Sequence, residues 1–173
     1  ESKSYNYCFQ NYEWFETWFN KFRINNKNYS LRLVIVSLDS KLLCILPFEI
    51  KNLYSLKILQ WAGGKHADYC APILANDFSV NKKDFIILWK KIMKLFPEID
   101  LVYFRKQPEY VEKIKNPFVE FLNNHRDSII YSVLLSKTWE EYTHGVLNKN
   151  FLTQNLRKER LLKKLGNVSF KII

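Results

Sequence analysis

Glycine, proline and cysteine are scarce in this chain: four, five and three among 173 residues. So little glycine and proline excludes long flexible linkers and low-complexity tracts. The cysteines, Cys8, Cys44 and Cys70, are odd in number and lack metal-ligand spacing. Cys44 sits in the apolar run Leu42 to Leu46 and reads as a small buried thiol. All three read as reduced, which points to a cytoplasmic setting. No apolar run approaches the roughly 18 residues that a membrane span requires. Catalytic signatures are missing too. There is no Gly-x-Ser-x-Gly, no His-Glu-x-x-His and no Walker sequence, so serine and zinc hydrolases have no support.

What is present is aromatic and basic. Aromatic residues make up 16% of the chain, against 47% hydrophobic and 25% charged residues overall. A chain of this length buries roughly 70% of its unfolded surface and needs neither disulfide nor metal to hold a core. The net charge is +10 and unevenly spread. Residues 148 to 173 hold seven lysines and arginines against the single Glu159. Such a concentration attracts an anionic partner, whether a phosphate-bearing ligand, lipid headgroups or nucleic acid.

Residues 9 to 22 carry Trp14, Phe15, Trp18, Phe19 and Phe22 at helical spacing behind Asn11, a candidate cap. This aromatic stripe reads as core. Strands follow over Leu31 to Leu38, Leu42 to Ile50 and Tyr54 to Trp61, the first two joined through Asp39-Ser40-Lys41. Gly63-Gly64 breaks the pattern, and extended structure resumes over Tyr69 to Leu74. A second helix is expected from Asn81 to Phe96 with Pro97 ending it, then a strand over Asp100 to Lys106. Pro108 can open a helix to Leu122, unless Asn116-Pro117 splits it. A strand over Ser128 to Leu135 precedes Thr138, which with Glu141 offers a capping box. A short helix, a break near Asn148, a longer helix to Leu165 and a strand over Val168 to Ile173 complete the reading. The last strand reads as part of a sheet completed by residues beyond this sequence.

The densest candidate site is Trp61 to Cys70, where two glycines precede Lys65, His66, Asp68 and Tyr69. Glycines let a ligand approach the backbone, and loops held by a sheet concentrate binding residues. Asp68 could orient or deprotonate an attacking amine or hydroxyl, and Tyr69 could hold a sugar face. The alternative is a structural turn, with Asp68 bonding loop amides and Tyr69 packed. His125 and His144 stand far apart and read as surface or capping residues. Glu140 and Glu141 suit a helix first turn without any catalytic role. The basic helix from Asn150 to Gly166 reads as a solvated amphipathic helix, a site for an anionic partner, or a nucleic-acid contact.

Phe9, Gln10, Trp14 and Trp18, together with Trp139, Glu140, Tyr142 and the run Asn155 to Gly166, resemble a known family. It is the cellulose-biosynthesis-type acetyltransferases of the GNAT (Gcn5-related N-acetyltransferase) superfamily, and the Fem-type aminoacyltransferases are more distantly similar. The resemblance is a diffuse pattern of aromatics and spacing over nearly the whole chain. It implies an α/β fold with a GNAT-like, mainly antiparallel sheet flanked by helices over 1–136. Residues 137–173 would be the basic helix and first strand of a second, incomplete GNAT-like domain.

By that resemblance the parent protein transfers an acyl group from acetyl-CoA, or another acyl-CoA, to an amine or hydroxyl on a sugar or cell-envelope precursor. Asp68 and Tyr69 match the family's loop and are expected in the substrate cleft, with Arg157 and Arg160 as anion contacts. The family's phosphate loop, Arg/Gln-x-x-Gly-x-Gly/Ala before a helix, is absent. The chain is therefore expected to contribute the substrate cleft, to bind no acyl-CoA and to be inactive alone. A binding or scaffold domain without chemistry and a basic nucleic-acid-associated protein are the rival readings, nucleic acid being the less favoured partner.

Overall fold

The computed structural model describes residues 4–122, 133–169 and 171. The chain divides into two compact units, Glu1–Ile130 and Tyr131–Ile173. The first is a mixed α/β unit built on a mainly antiparallel six-stranded sheet. Strand β1 (Ser4–Tyr5) leads through a 3-10 turn (Cys8–Gln10) into α1 (Tyr12–Phe22). Asn11 stands at the cap of α1, but its side chain makes no capping bond.

Strands β2 (Tyr29–Leu38) and β3 (Lys41–Leu53) form a long hairpin. Both turn residues take positive φ, 48° at Asp39 and 65° at Ser40. That is the twist a two-residue hairpin turn demands, and a short polar side chain tolerates it. The 13 residues of β3 organise the sheet. One edge pairs with β2 along most of its length. The other edge is shared: Cys44 and Ile45 pair with β5 (Ile73–Ala75), and Phe48 to Leu53 pair with β4 (Leu56–Trp61). The chain leaves the sheet at Trp61 and returns at Ile73, so the glycine loop fills the interval between β4 and β5. Strand β6 (Leu101–Val102) then adds parallel to β4 after the crossover helix α2 (Lys82–Met93). Asn81 caps α2 by accepting from the Asp84 amide at 3.0 Å.

Side chains alternate across a strand, so each strand serves two faces. Leu46, Phe48 and Ile50 of β3 join Leu59 and Trp61 of β4 in the core. Phe85 and Ile92 of α2 pack there, as does Phe118 of α3 (Pro117–Phe121). The core is an aromatic cluster. Phe48 stacks on Phe104 at 5.3 Å, and Phe118 meets Trp61 edge-on at 5.0 Å and Phe85 at 5.2 Å. Helix α1 lies on the opposite face. Of its aromatic stripe only Trp18 is fully buried, while Phe22 is largely exposed. The stripe is therefore core at one point and surface at its end.

Two expected elements differ. The span from Pro108 to Leu122 is not one helix. It is a hairpin of β7 (Tyr110–Val111) and β8 (Ile114–Lys115), followed by α3. Glu112 turns the hairpin at φ 55°. Pro117 bars Asn116 from helical geometry, and Asn116 instead caps α3 through the Phe118 amide. Its Nδ2 also donates to the Pro108 carbonyl at 3.0 Å, closing the loop. The strand expected over Asp100 to Lys106 shortens to Leu101–Val102, because beyond Tyr103 the chain leaves β4 to staple the glycine loop.

The second unit holds α4 (Trp139–Gly145) and α5 (Lys149–Leu165). Thr138 caps α4 through the Glu141 amide at 3.2 Å, and Asn148 both breaks the chain and caps α5. The strand expected over Ser128 to Leu135 falls largely outside the described residues, and Val133 to Leu135 are not in a strand. His125 also lies outside them. Val168 and Ser169 carry no strand pairing, and most of the remaining expected strand lies outside the described residues.

Candidate functional site

The glycine loop is held by backbone necessity. Gly63 has φ 114°, and a Cβ there would stand 2.7 Å from the Ala67 Cβ. Gly64 has φ 54°, and a Cβ would stand 2.8 Å from the Arg23 guanidinium. Both positions therefore require glycine. A 3-10 turn over Gly64–His66 follows. Lys106 then fastens the loop: its ammonium donates to the Ala67 carbonyl at 2.7 Å, and its own carbonyl accepts from the Cys70 amide at 3.0 Å.

Beside this loop a cleft of about 480 Å³ opens over the α1-side face of the sheet. Its floor is Lys51 and Leu53 of β3, Ile58 and Gln60 of β4, and Tyr29 of β2. Lys51 pairs with Ile58 on one side and Tyr29 on the other, so strand register assembles this floor. The walls are Arg23 after α1, the loop residues Gly64, Lys65 and His66, and Tyr103, Arg105 and Lys106 after β6. Five of the lining side chains are lysine or arginine, and no carboxylate is among the described residues that line it.

Arg23 is already engaged. Its guanidinium binds the buried Glu49 at 2.6 and 3.3 Å and lies between the rings of Tyr29 and Trp18, 3.9 and 4.7 Å from their centroids. Glu49 also accepts from Gln60 Nε2 at 2.7 Å. This charged group is thus paired and hydrogen-bonded, as burial requires. It anchors the end of α1 to the sheet.

His66 stacks on Phe22 with centroids 4.0 Å apart. Its Nδ1 is buried and has no hydrogen-bond partner. Desolvation by burial, then the charges of Lys65, Arg23 and Lys106, hold its pKa below the ordinary value. That shift favours the neutral imidazole. Cys70, at the cleft edge, is no nucleophile: burial pushes its thiol up to about 11, against the opposing pull of Lys106. Cys44 is pushed up by burial to about 12.

Of the residues expected in a site, Asp68 and Tyr69 stand on the loop but do not line the cleft. Asp68 is 79% exposed at its side chain, with an oxygen 3.6 Å from the Lys106 ammonium. Tyr69 stacks on Tyr7 at 4.6 Å and lies near Phe9, while its carbonyl accepts from Gln10. The early Phe9-Gln10 pair thus tethers the loop. Arg157 and Arg160 are exposed on α5 in the second unit. The loop members that face the cleft are Lys65 and His66. Sequence reasoning missed Arg23, Lys51, Tyr103 and Arg105, which only the sheet register brings together.

The start of α2 does not fit the pyrophosphate of an acyl-CoA. Asn81 already occupies the Asp84 amide, and the Asp84 carboxylate, bonded to Asn81 Nδ2 at 2.7 Å, places negative charge where phosphate would sit. No group of three or more His, Cys, Asp or Glu among the described residues is placed to hold a metal. Nor is any described helix long and apolar enough to cross a membrane. No family model, no curated protein and no solved structure matches the chain.

Proposed function

We propose that this chain supplies the acceptor-binding part of a GNAT-type acyltransferase acting on a sugar or cell-envelope precursor. Support comes from the order of elements: a helix, antiparallel strands, then a strand joined through α2 to a parallel neighbour. The observation that carries the reading is the cleft beside that parallel pair, walled by a glycine-dependent loop and lined by tyrosines and cations. Tyr29 and Tyr103 offer ring faces and hydroxyls suited to a sugar. His66 lines the cleft, and its imidazole, held below its ordinary pKa, can accept a proton from a bound amine or hydroxyl. Acyl-CoA is held outside this site.

Amide shift mapping by NMR tests the reading. A hexosamine acceptor should perturb Gly63, Gly64 and Tyr103, and acetyl-CoA should leave the start of α2 unmoved. Perturbation of Lys82 to Asp84 by acetyl-CoA, or silence at the cleft with every amino sugar, would overturn it.

A second reading rests on α5. Lys149, Arg157, Arg160, Lys163 and Lys164 fall within an arc of about 120° at helical spacing, and all are exposed. That face suits an anionic polymer. Duplex DNA bound with a steep salt dependence that charge reversal at Arg157 and Arg160 removes would favour this reading.

A further inference from the structure

We infer that α5 is a membrane-surface helix, one that lies in the headgroup layer of an anionic bilayer. This goes beyond the acyltransferase reading and makes no use of the cleft. Six of the 17 residues of α5 are lysine or arginine, and Glu159 is its single acid. Lys163 pairs with Glu159 at 2.7 Å, and the helix as a whole keeps a net charge of +5. Attraction to an anionic surface follows from that net charge.

The side chains opposite the cations decide the kind of partner. Phe151, Leu161, Leu162 and Leu165 fall within an arc of about 100° at helical spacing. That arc is centred roughly 150° around the helix from the arc of Lys149, Arg157, Arg160, Lys163 and Lys164. Each of the four apolar residues is at least half exposed, and no side chain of α5 is buried. Helices take most of their stability from packing an amphipathic face, and α5 has such a face without the packing. A nucleic acid would answer only the cationic arc, since phosphate contacts make no use of leucine. An apolar protein groove would cover the leucines and leave the charge unanswered. An anionic bilayer answers both, taking up the apolar face while its headgroups attract the cations. Two residues cross the division. Leu156 stands among the cations, and Lys158 stands within the apolar arc, where its long stem can lie along the leucines and carry the ammonium out to the headgroups. No described helix is long and apolar enough to cross a membrane, so α5 lies along the surface.

Co-sedimentation of the whole chain with vesicles tests this, using phosphatidylcholine alone and phosphatidylcholine with about one third phosphatidylglycerol. The anionic vesicles should bind at least roughly tenfold more tightly than the neutral ones, and added salt should weaken the binding. Amide hydrogen exchange over 149–165 should slow on the anionic vesicles, a readout that needs no variant. Arg157→Gln/Arg160→Gln should weaken binding by roughly tenfold or more. Phe151→Ser/Leu162→Ser should do so by a similar factor through lost apolar burial. Lys90→Gln/Lys91→Gln, which removes two exposed cations from α2, should leave binding nearly unchanged. All the substituted side chains are exposed, and an unchanged melting temperature confirms the fold. Equal binding to both kinds of vesicle, an equal loss in the α2 control, or indifference to the serine pair would overturn the inference. So would duplex DNA that protects 149–165 at lower concentration than the vesicles, or self-association through the apolar arc that vesicles do not reverse.

Discussion

The two faces of the sheet are made by the same strands, one residue out of phase, and they could hardly differ more. Phe48, Ile50 and Leu59 point into an aromatic core that is closed and apolar. Glu49, Lys51 and Gln60, their immediate neighbours, point to a face where charged and amide groups stand beside the buried Ile58 and which opens into the cleft. Strand periodicity thus separates what holds the fold from what meets a ligand, within peptides only a few residues long. Trp61 is the exception that joins them. Its ring packs in the core, yet its indole N–H reaches Gln107 at 3.2 Å and part of it lines the cleft.

The largest effect should come from the closed face. Phe48→Ala removes a fully buried ring that touches Trp61, Phe104 and Phe118. It should cost about 3–5 kcal/mol in denaturant unfolding. Lys51→Ala, three residues on and facing the other way, should cost no more than about 0.5 kcal/mol. A comparable loss at both positions would break the division of the sheet into a structural and a ligand face.

Next in size is the buried charge pair of Arg23 and Glu49 on the open face. Arg23→Met strands the Glu49 carboxylate and should destabilise by about 3 kcal/mol, the lower end for a broken buried pair because Gln60 still donates to it. The double variant Arg23→Met/Glu49→Leu removes both charges and should recover most of that loss. If the double variant is no better than the single one, the contribution of Arg23 lies in its packing between Tyr29 and Trp18 rather than in charge.

The same division decides what could be read from sequence. The β2–β3 hairpin was legible because alternation and the Asp39-Ser40 turn agree, and α2 because Asn81 and Pro97 bracket its apolar stripe. Pro108 to Leu122 misleads because Tyr110, Val111, Ile114, Phe118 and Phe121 mimic helical spacing, while the local chemistry at Asn116-Pro117 dictates a hairpin and a new helix. Within the site, the two glycines announced a loop. They did not announce which side chains face the cleft, since a 3-10 turn over Gly64–His66 sends Lys65 and His66 inward and leaves Asp68 and Tyr69 outside. Lys51 and Arg105 carry no local signal at all. Their meeting depends on a parallel pairing between strands some forty residues apart in the chain.

The smallest expected effect sharpens the comparison most finely, because it reads the field of the open face directly. His66 faces Lys65 and Lys106 from the loop and its staple, Arg23 and Phe22 from the end of α1, and the protonated Cys70 thiol at the cleft edge. With its folded pKa held below the ordinary value near 6.5, the unfolded chain takes up the proton first. His66 therefore costs stability as pH falls from about 6.5 through its folded pKa, and costs none above that window. Proton NMR should show the His66 ring titrating below the ordinary value, with its resonance identified by its loss in His66→Gln. Lys65→Gln should raise the midpoint by removing one repelling charge. A His66 midpoint that Lys65→Gln leaves unmoved would mean that solvent screens the positive charges of this face from the imidazole.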